Sequence, residues 1–118
     1  MDKEFVAKMK DKLLTLKEGI LQHLMAEDAE FKDLVEKSGS TDVVDVASED
    51  IDKNVLSALG SQELKRLRLI DAALGRIENG RYGLCLKSGK PIPKERLEAI
   101  PYALYRIEVQ NEFERRNR

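Results

Sequence analysis

The sequence predicts a mainly α fold: a long antiparallel coiled-coil hairpin, a small loop-rich head and a C-terminal helix. Three observations predict it. Apolar residues recur at spacings of three, four or seven over two long stretches; Ser38-Gly39-Ser40 interrupts them; all three prolines, with Gly80, Gly83 and Gly89, fall between residues 80 and 101. Spacings of three and four put side chains on one helical face, whereas glycine and proline punctuate loops.

The first stretch, residues 3–36, carries Phe5, Met9, Leu13, Leu16, Ile20, Leu24, Phe31 and Leu34 with no intervening proline. One amphipathic helix accounts for it. Gly19 costs that helix about 1 kcal/mol relative to alanine, which the apolar seam outweighs. A glycine such as Gly39 can adopt the left-handed cap that ends a helix. The second stretch runs from about Glu49 to Asn79 through Leu56, Leu59, Leu67, Ile70, Leu74 and Ile77. Asp45 or Ser48 caps its start, and Asn79-Gly80 stops it. Glu63 stands where the seam expects an apolar side chain, which predicts looser packing at mid-length.

Helices of roughly 31–34 residues span about 45–50 Å each, and a short connector makes them antiparallel. The domain reading is therefore residues 1–79 as the hairpin, with its tip loop at 38–48, and residues 80–118 as the head and C-terminal helix. Helical periodicity returns there from Tyr102 to Arg118, in Leu104, Ile107 and Phe113.

Composition narrows the function. At 118 residues, with 36% charged residues, 5% aromatics and no tryptophan, the chain favours long solvated helices over a thick core. A net charge of −1 argues against nonspecific DNA binding, which requires a cationic surface to displace counterions. A single cysteine permits no internal disulfide and fits a reducing compartment. The start MDKEFVAKMK has no apolar run of a signal peptide, and no stretch approaches a membrane span. A cytoplasmic protein is expected.

The stretch YGLCLKSG, residues 82–89, has the outline of a zinc-binding turn with Ser88 in place of a second cysteine. Within ALGRIENGRYGLCLKSGKPIPKERLEAIPYALYRIEVQ, residues 73–110, the helix ending RIENGRYG, the cysteine turn and RLEAIP follow in fixed order. This segment, about a third of the chain, resembles the C-terminal signature of the DksA/TraR family of bacterial transcription factors. A second match lies in the expected tip. Asp42-Val-Val-Asp45-Val-Ala47 is similar to the Asp-x-x-Asp-x-Ala loop that ends the family's coiled-coil finger.

The resemblance implies a regulator that binds RNA polymerase instead of sequence-specific DNA, its finger entering the secondary channel. Asp42, Asp45 and Ala47 would then act near the active centre. Two carboxylates could meet magnesium, basic side chains or backbone donors, and a larger side chain at 47 could obstruct docking. Without the resemblance, aspartates in a helix–helix turn are ordinary caps. Val43, Val44 and Val46 suit insertion against a partner or burial against the helix ends.

The family's four ligand positions fall on Cys85, Ser88, Arg106 and Val109. Tetrahedral structural zinc takes thiolate or imidazole ligands, which serine, arginine and valine do not supply, so the expectation is a degenerate, metal-free head with no cofactor. Leu84, Leu86, Ile92, Leu97, Ile100, Tyr105, Ile107 and Val109 are its candidate core, at about 1.5–3 kcal/mol each when buried. Cys85 reads as a small buried hydrophobe, with nothing in the neighbouring sequence that would lower its pKa and make it a redox sensor.

Lys65, Arg66 and Arg68 are either a solvated face with Glu63 and Asp71 or contacts to the polymerase rim. Arg115, Arg116 and Arg118 complement a helix dipole. Some family members respond to the alarmone ppGpp through basic residues whose positions correspond here to Leu69, Ile100 and Gln110. None is cationic, so a weak or absent response is expected. The alternatives are a transcript-cleavage finger factor and a structural coiled-coil protein. An enzyme is not expected, because no nucleophile–base pair, phosphate loop or metal cluster is present. The expected state is a monomer.

Overall fold

The computed structural model describes residues 2–29, 32–33, 36 and 58–116. The expected tip loop 38–48, with Asp42, Val43, Val44, Asp45, Val46, Ala47 and the cap candidate Ser48, lies outside the described residues, as do Phe31, Leu34, Leu56 and Arg118. The principal helices are α1 (Lys3–Glu27), α2 (Ala58–Glu78), α3 (Lys94–Ala99) and α4 (Ile107–Arg116). Among the described residues the only extended pairing is an isolated antiparallel bridge between Leu84 and Pro91. The chain divides into two compact units, one of Leu14–Asp71 and one of Met1–Leu13 with Ala72–Arg118.

In the unit Leu14–Asp71, parts of α1 and α2 run antiparallel. Lys17 pairs with Asp71 at 2.7 Å and, further along α1, His23 pairs with Glu63 further back along α2, at 2.8 Å. The seam between them buries Ile20 and Leu24 from α1 with Leu64, Leu67 and Ile70 from α2. This is the coiled-coil hairpin that the apolar periodicity predicts. Each buried aliphatic side chain contributes about 1.5–3 kcal/mol of transfer free energy, set against the ordering entropy of both helices.

Glu63, the interruption in the apolar pattern, is accommodated by the partner it meets. Its carboxylate is 19% exposed and faces the His23 imidazole. Helix α1 stops at Glu27 and not near residue 36, although Ala29, Lys32, Asp33 and Glu36 are again helical. Helical hydrogen bonding nevertheless runs through Asp28: its N–H donates to the Leu24 carbonyl at 2.9 Å, and its carbonyl accepts from the Lys32 N–H at 3.1 Å.

The other unit contains the head, and it also contains the first turns of α1. Phe5, Met9, Leu13, Ala73, Tyr82, Cys85, Ile92 and Leu97 are its buried apolar residues. Lys12 donates from Nζ to the Glu98 carbonyl at 2.8 Å, and the Lys94 ammonium lies 5.2 Å from the centre of the Phe5 ring. Both contacts tie α1 to α3. That short helix has no periodic signature of its own: the Pro93 carbonyl starts it, accepting from the Arg96 and Leu97 N–H groups at 3.1 and 3.2 Å, and buried Leu97 anchors it. Helix α4 starts at Ile107, later than the periodicity from Tyr102 suggests, because residues 101–104 serve the head instead. The Leu104 carbonyl accepts from the Leu86 N–H at 2.8 Å.

No helix among the described residues is long and apolar enough to cross a membrane.

Candidate functional site

Helix α2 ends in a cap that the sequence specifies. The Gly80 N–H donates to Ile77 O at 3.2 Å and the Arg81 N–H to Arg76 O at 2.9 Å. This paired arrangement places Gly80 in the left-handed region at φ +73°. The chain turns at this point into the knuckle. There the Cys85 N–H donates to Lys90 O, the Gly89 N–H donates to Cys85 O, both at 2.9 Å, and the Ile92 N–H donates to Gly83 O at 2.7 Å.

Cys85 sits at the centre of this turn, 2% exposed. Burial pushes its thiol up. The Ser88 hydroxyl and the backbone N–H groups of Ser88, Arg106 and Lys87 donate to the sulfur and outweigh burial, lowering it from 9.0 to about 7. Cys85 is buried as expected, and only the expectation that nothing lowers its pKa is corrected. The donors that stabilise the thiolate come from a tight turn and from Arg106, 21 positions later in the chain, so no local sequence signal reveals all of them.

Side chains then stitch the loops to one another. Arg76 donates from Nη2 to Arg81 O at 3.0 Å and to Leu84 O at 2.6 Å. Tyr82 donates from its buried hydroxyl to Pro101 O at 2.8 Å, and burial raises its pKa to about 12. Arg96 donates from Nε to Tyr105 O at 2.9 Å. Arg106 donates from Nη1 to Pro91 O at 3.2 Å and pairs with Glu108 at 3.1 Å. The N–H of Glu108 and this guanidinium hold the exposed Glu108 carboxyl below its ordinary value. Periodicity does not identify Arg76, Arg96 or Tyr82 as staples. Their carbonyl partners lie in other loops of the head.

The candidate core is partly redistributed. Ile92 and Leu97 are buried, Leu84, Ile100, Tyr105 and Val109 are half-buried, and Leu86 and Ile107 are each 50% exposed. The Tyr105 and Phe113 rings meet edge to face, 5.0 Å between centres, and the Lys87 ammonium lies 5.2 Å from the Phe113 ring centre. Lys65, Arg66 and Arg68 are exposed on α2.

As donors for a metal, the four expected positions divide. Cys85 fits, since a metal takes the thiolate and the hydrogen bonds to its sulfur favour that form. Ser88 is hydrogen-bonded to Cys85 and accepts from the Lys90 N–H at 3.3 Å. Arg106 spends its guanidinium on Pro91 and Glu108, and Val109 has no donor atom. Among the described residues no group of three or more His, Cys, Asp or Glu could hold a metal ion.

Comparison with known proteins bears on both fold and site. Residues 80–115 match the model of the prokaryotic dksA/traR C4-type zinc finger. The RNA polymerase-binding transcription factor DksA of Caulobacter vibrioides is 37% identical over 109 residues, 92% of this chain and 75% of that protein. The chain belongs to the DksA/TraR family.

Solved structures of the family agree with the fold. Transcription factor DksA2 from Pseudomonas aeruginosa superposes with a TM-score of 0.71 at 32% identity, covering 99% of this chain and 88% of that one. The RNA polymerase binding protein and transcriptional regulator Dks from Chlamydia trachomatis gives 0.62 at 30% identity, covering 98% and 93%. The DksA/TraR match also corrects the expectation of a head to which zinc is foreign. Residues 80–115 match a C4-type zinc finger, and that points to zinc binding. Of the residues at the expected ligand positions, Cys85 alone suits the role, as a thiolate donor.

Proposed function

We propose that this protein is a transcription factor that binds bacterial RNA polymerase through the secondary channel and modulates promoter complexes from the tip of its hairpin. One observation carries the reading: the similarity to DksA of Caulobacter vibrioides, named as RNA polymerase-binding, spans 92% of the chain and so includes the hairpin as well as the head. A pair of helices with a narrow apolar seam can pass down a pore that a globular domain cannot enter. Asp42 and Asp45 bring negative charge toward magnesium or basic polymerase groups, and the small Ala47 leaves room for close docking. Lys65, Arg66 and Arg68, exposed on α2, are the candidate contacts to the polymerase rim, the alternative being a solvated face. The protein acts as a cytoplasmic monomer, binds no specific DNA sequence and catalyses no reaction of its own.

In vitro transcription with the cognate polymerase tests this reading. The wild-type protein is expected to change promoter-complex lifetime, and Asp42→Asn/Asp45→Asn to bind polymerase but lose that effect. Normal regulation by the double variant would show the tip assignment to be wrong. Accelerated cleavage of stalled transcripts would instead favour a cleavage factor, and a stable dimer without polymerase binding a structural coiled coil.

A further inference from the structure

The His23–Glu63 pair lies outside the head and outside the proposed tip. Glu63 stands at a seam position that the helical pattern assigns to an apolar side chain, and its carboxylate is 19% exposed between the two helices. Apolar neighbours Leu24 and Leu64 are buried beside the pair. A carboxylate in such a position is costly unless it is hydrogen-bonded and paired. His23 supplies both: its Nδ1–H donates to Glu63 Oε2 at 2.9 Å, and Nδ1 lies 2.8 Å from Oε1.

We infer that His23 and Glu63 form a pH-responsive latch across the hairpin, closing α1 on α2 more firmly as the solution becomes more acidic. Histidine is the one side chain whose ordinary charge change falls near neutral pH, and this chain has a single histidine. Among the described residues the charged groups acting on it are Glu63, from α2, and Glu27, one turn further along α1; both are acidic and both favour the imidazolium. The hydrogen bond to Glu63 raises the His23 pKa first, its charge second, and burial opposes them. Because the folded value is raised, the latch's contribution is fully present below the ordinary value of 6.5 and is lost as pH rises through the raised value. Above that value a neutral imidazole can still donate from Nδ1, but the bond is no longer charge-assisted. This regulation is a property of the hairpin itself and does not depend on which partner the hairpin enters.

Two measurements on the full chain test the latch. The sole imidazole can be titrated by NMR in the wild type and in Glu63→Gln; the variant's midpoint is expected to fall back toward the ordinary histidine value. Amide hydrogen exchange at Ile20, Leu24, Leu64 and Leu67, corrected for intrinsic rates, is expected to be about twofold slower at pH 6 than at pH 8, as suits an exposed pair. His23→Gln should abolish that difference and His23→Lys should retain protection at both pH values. His23 is exposed, so these two variants keep the test available even where Glu63→Gln perturbs folding. An unshifted midpoint in Glu63→Gln, or the same pH dependence of exchange in His23→Gln as in the wild type, would overturn the inference.

Discussion

Cys85 and Tyr82 show how much of this head rests on single polar contacts made in a buried setting. The Tyr82 hydroxyl serves the Pro101 carbonyl, so Tyr82→Phe leaves that carbonyl without this donor. The expected cost is about 1–3 kcal/mol, read as a lower urea midpoint with an unchanged slope. At Cys85 the thiol is lowered from 9.0 to about 7. A depressed folded value contributes stability that is present above the ordinary value and lost as pH falls through about 7. Thiolate absorbance is therefore expected to titrate near 7 in the wild type and at higher pH in Ser88→Ala, which lacks the hydroxyl donor. The gain in urea midpoint between neutral pH and pH 9 should shrink in the same variant. These sites were only half legible in the chain. YGLCLKSG announces a tight turn around Cys85, but the N–H of Arg106 reaches the sulfur only because the end of the head folds back onto its beginning.

At the scale of elements, the helix ends were written more plainly than the helix lengths. Asn79-Gly80 stops α2 because Gly80 at φ +73° has no Cβ to strain. An added Cβ there meets nothing within 4 Å, so Gly80→Ala isolates the backbone term. It is expected to cost about 1 kcal/mol, visible as a fall of a few degrees in Tm with the knuckle intact. Arg76 acts on the same junction, joining the last turn of α2 to Arg81 and Leu84. Arg76→Lys keeps the charge but cannot present two N–H groups in a fixed fork, and is expected to destabilise the head more than Gly80→Ala does. Differential hydrogen exchange at Cys85 and Leu86 would separate the two effects. Helix α3 was not legible at all, because six residues are too few to display a period. Its existence depends on Leu97 finding a buried place and on Lys12 of α1 reaching Glu98.

At the scale of the molecule, the apolar seam and the family signature lead to the same fold, and the proposed polymerase regulator draws on both. Replacing Lys65, Arg66 and Arg68 together with alanine is expected to weaken polymerase binding and to flatten its salt dependence, since exposed charges act through screened electrostatics. Titrated binding at two ionic strengths checks this, and an unchanged affinity would return these residues to the solvated face. By itself, the sequence determined the two amphipathic helices, their antiparallel pairing, the stop at Gly80 and the loop-rich head, because periodicity and backbone preferences are local properties of the chain. Only the tertiary structure decided that the start of α1 belongs with the head, that Glu63 is answered by His23, and that arginines 76, 96 and 106 join loops through their carbonyls. Each of these joins groups distant in sequence, or turns on which backbone carbonyl a side chain meets. Such meetings follow from where the folded chain brings atoms together, which no pattern of residue types along it records.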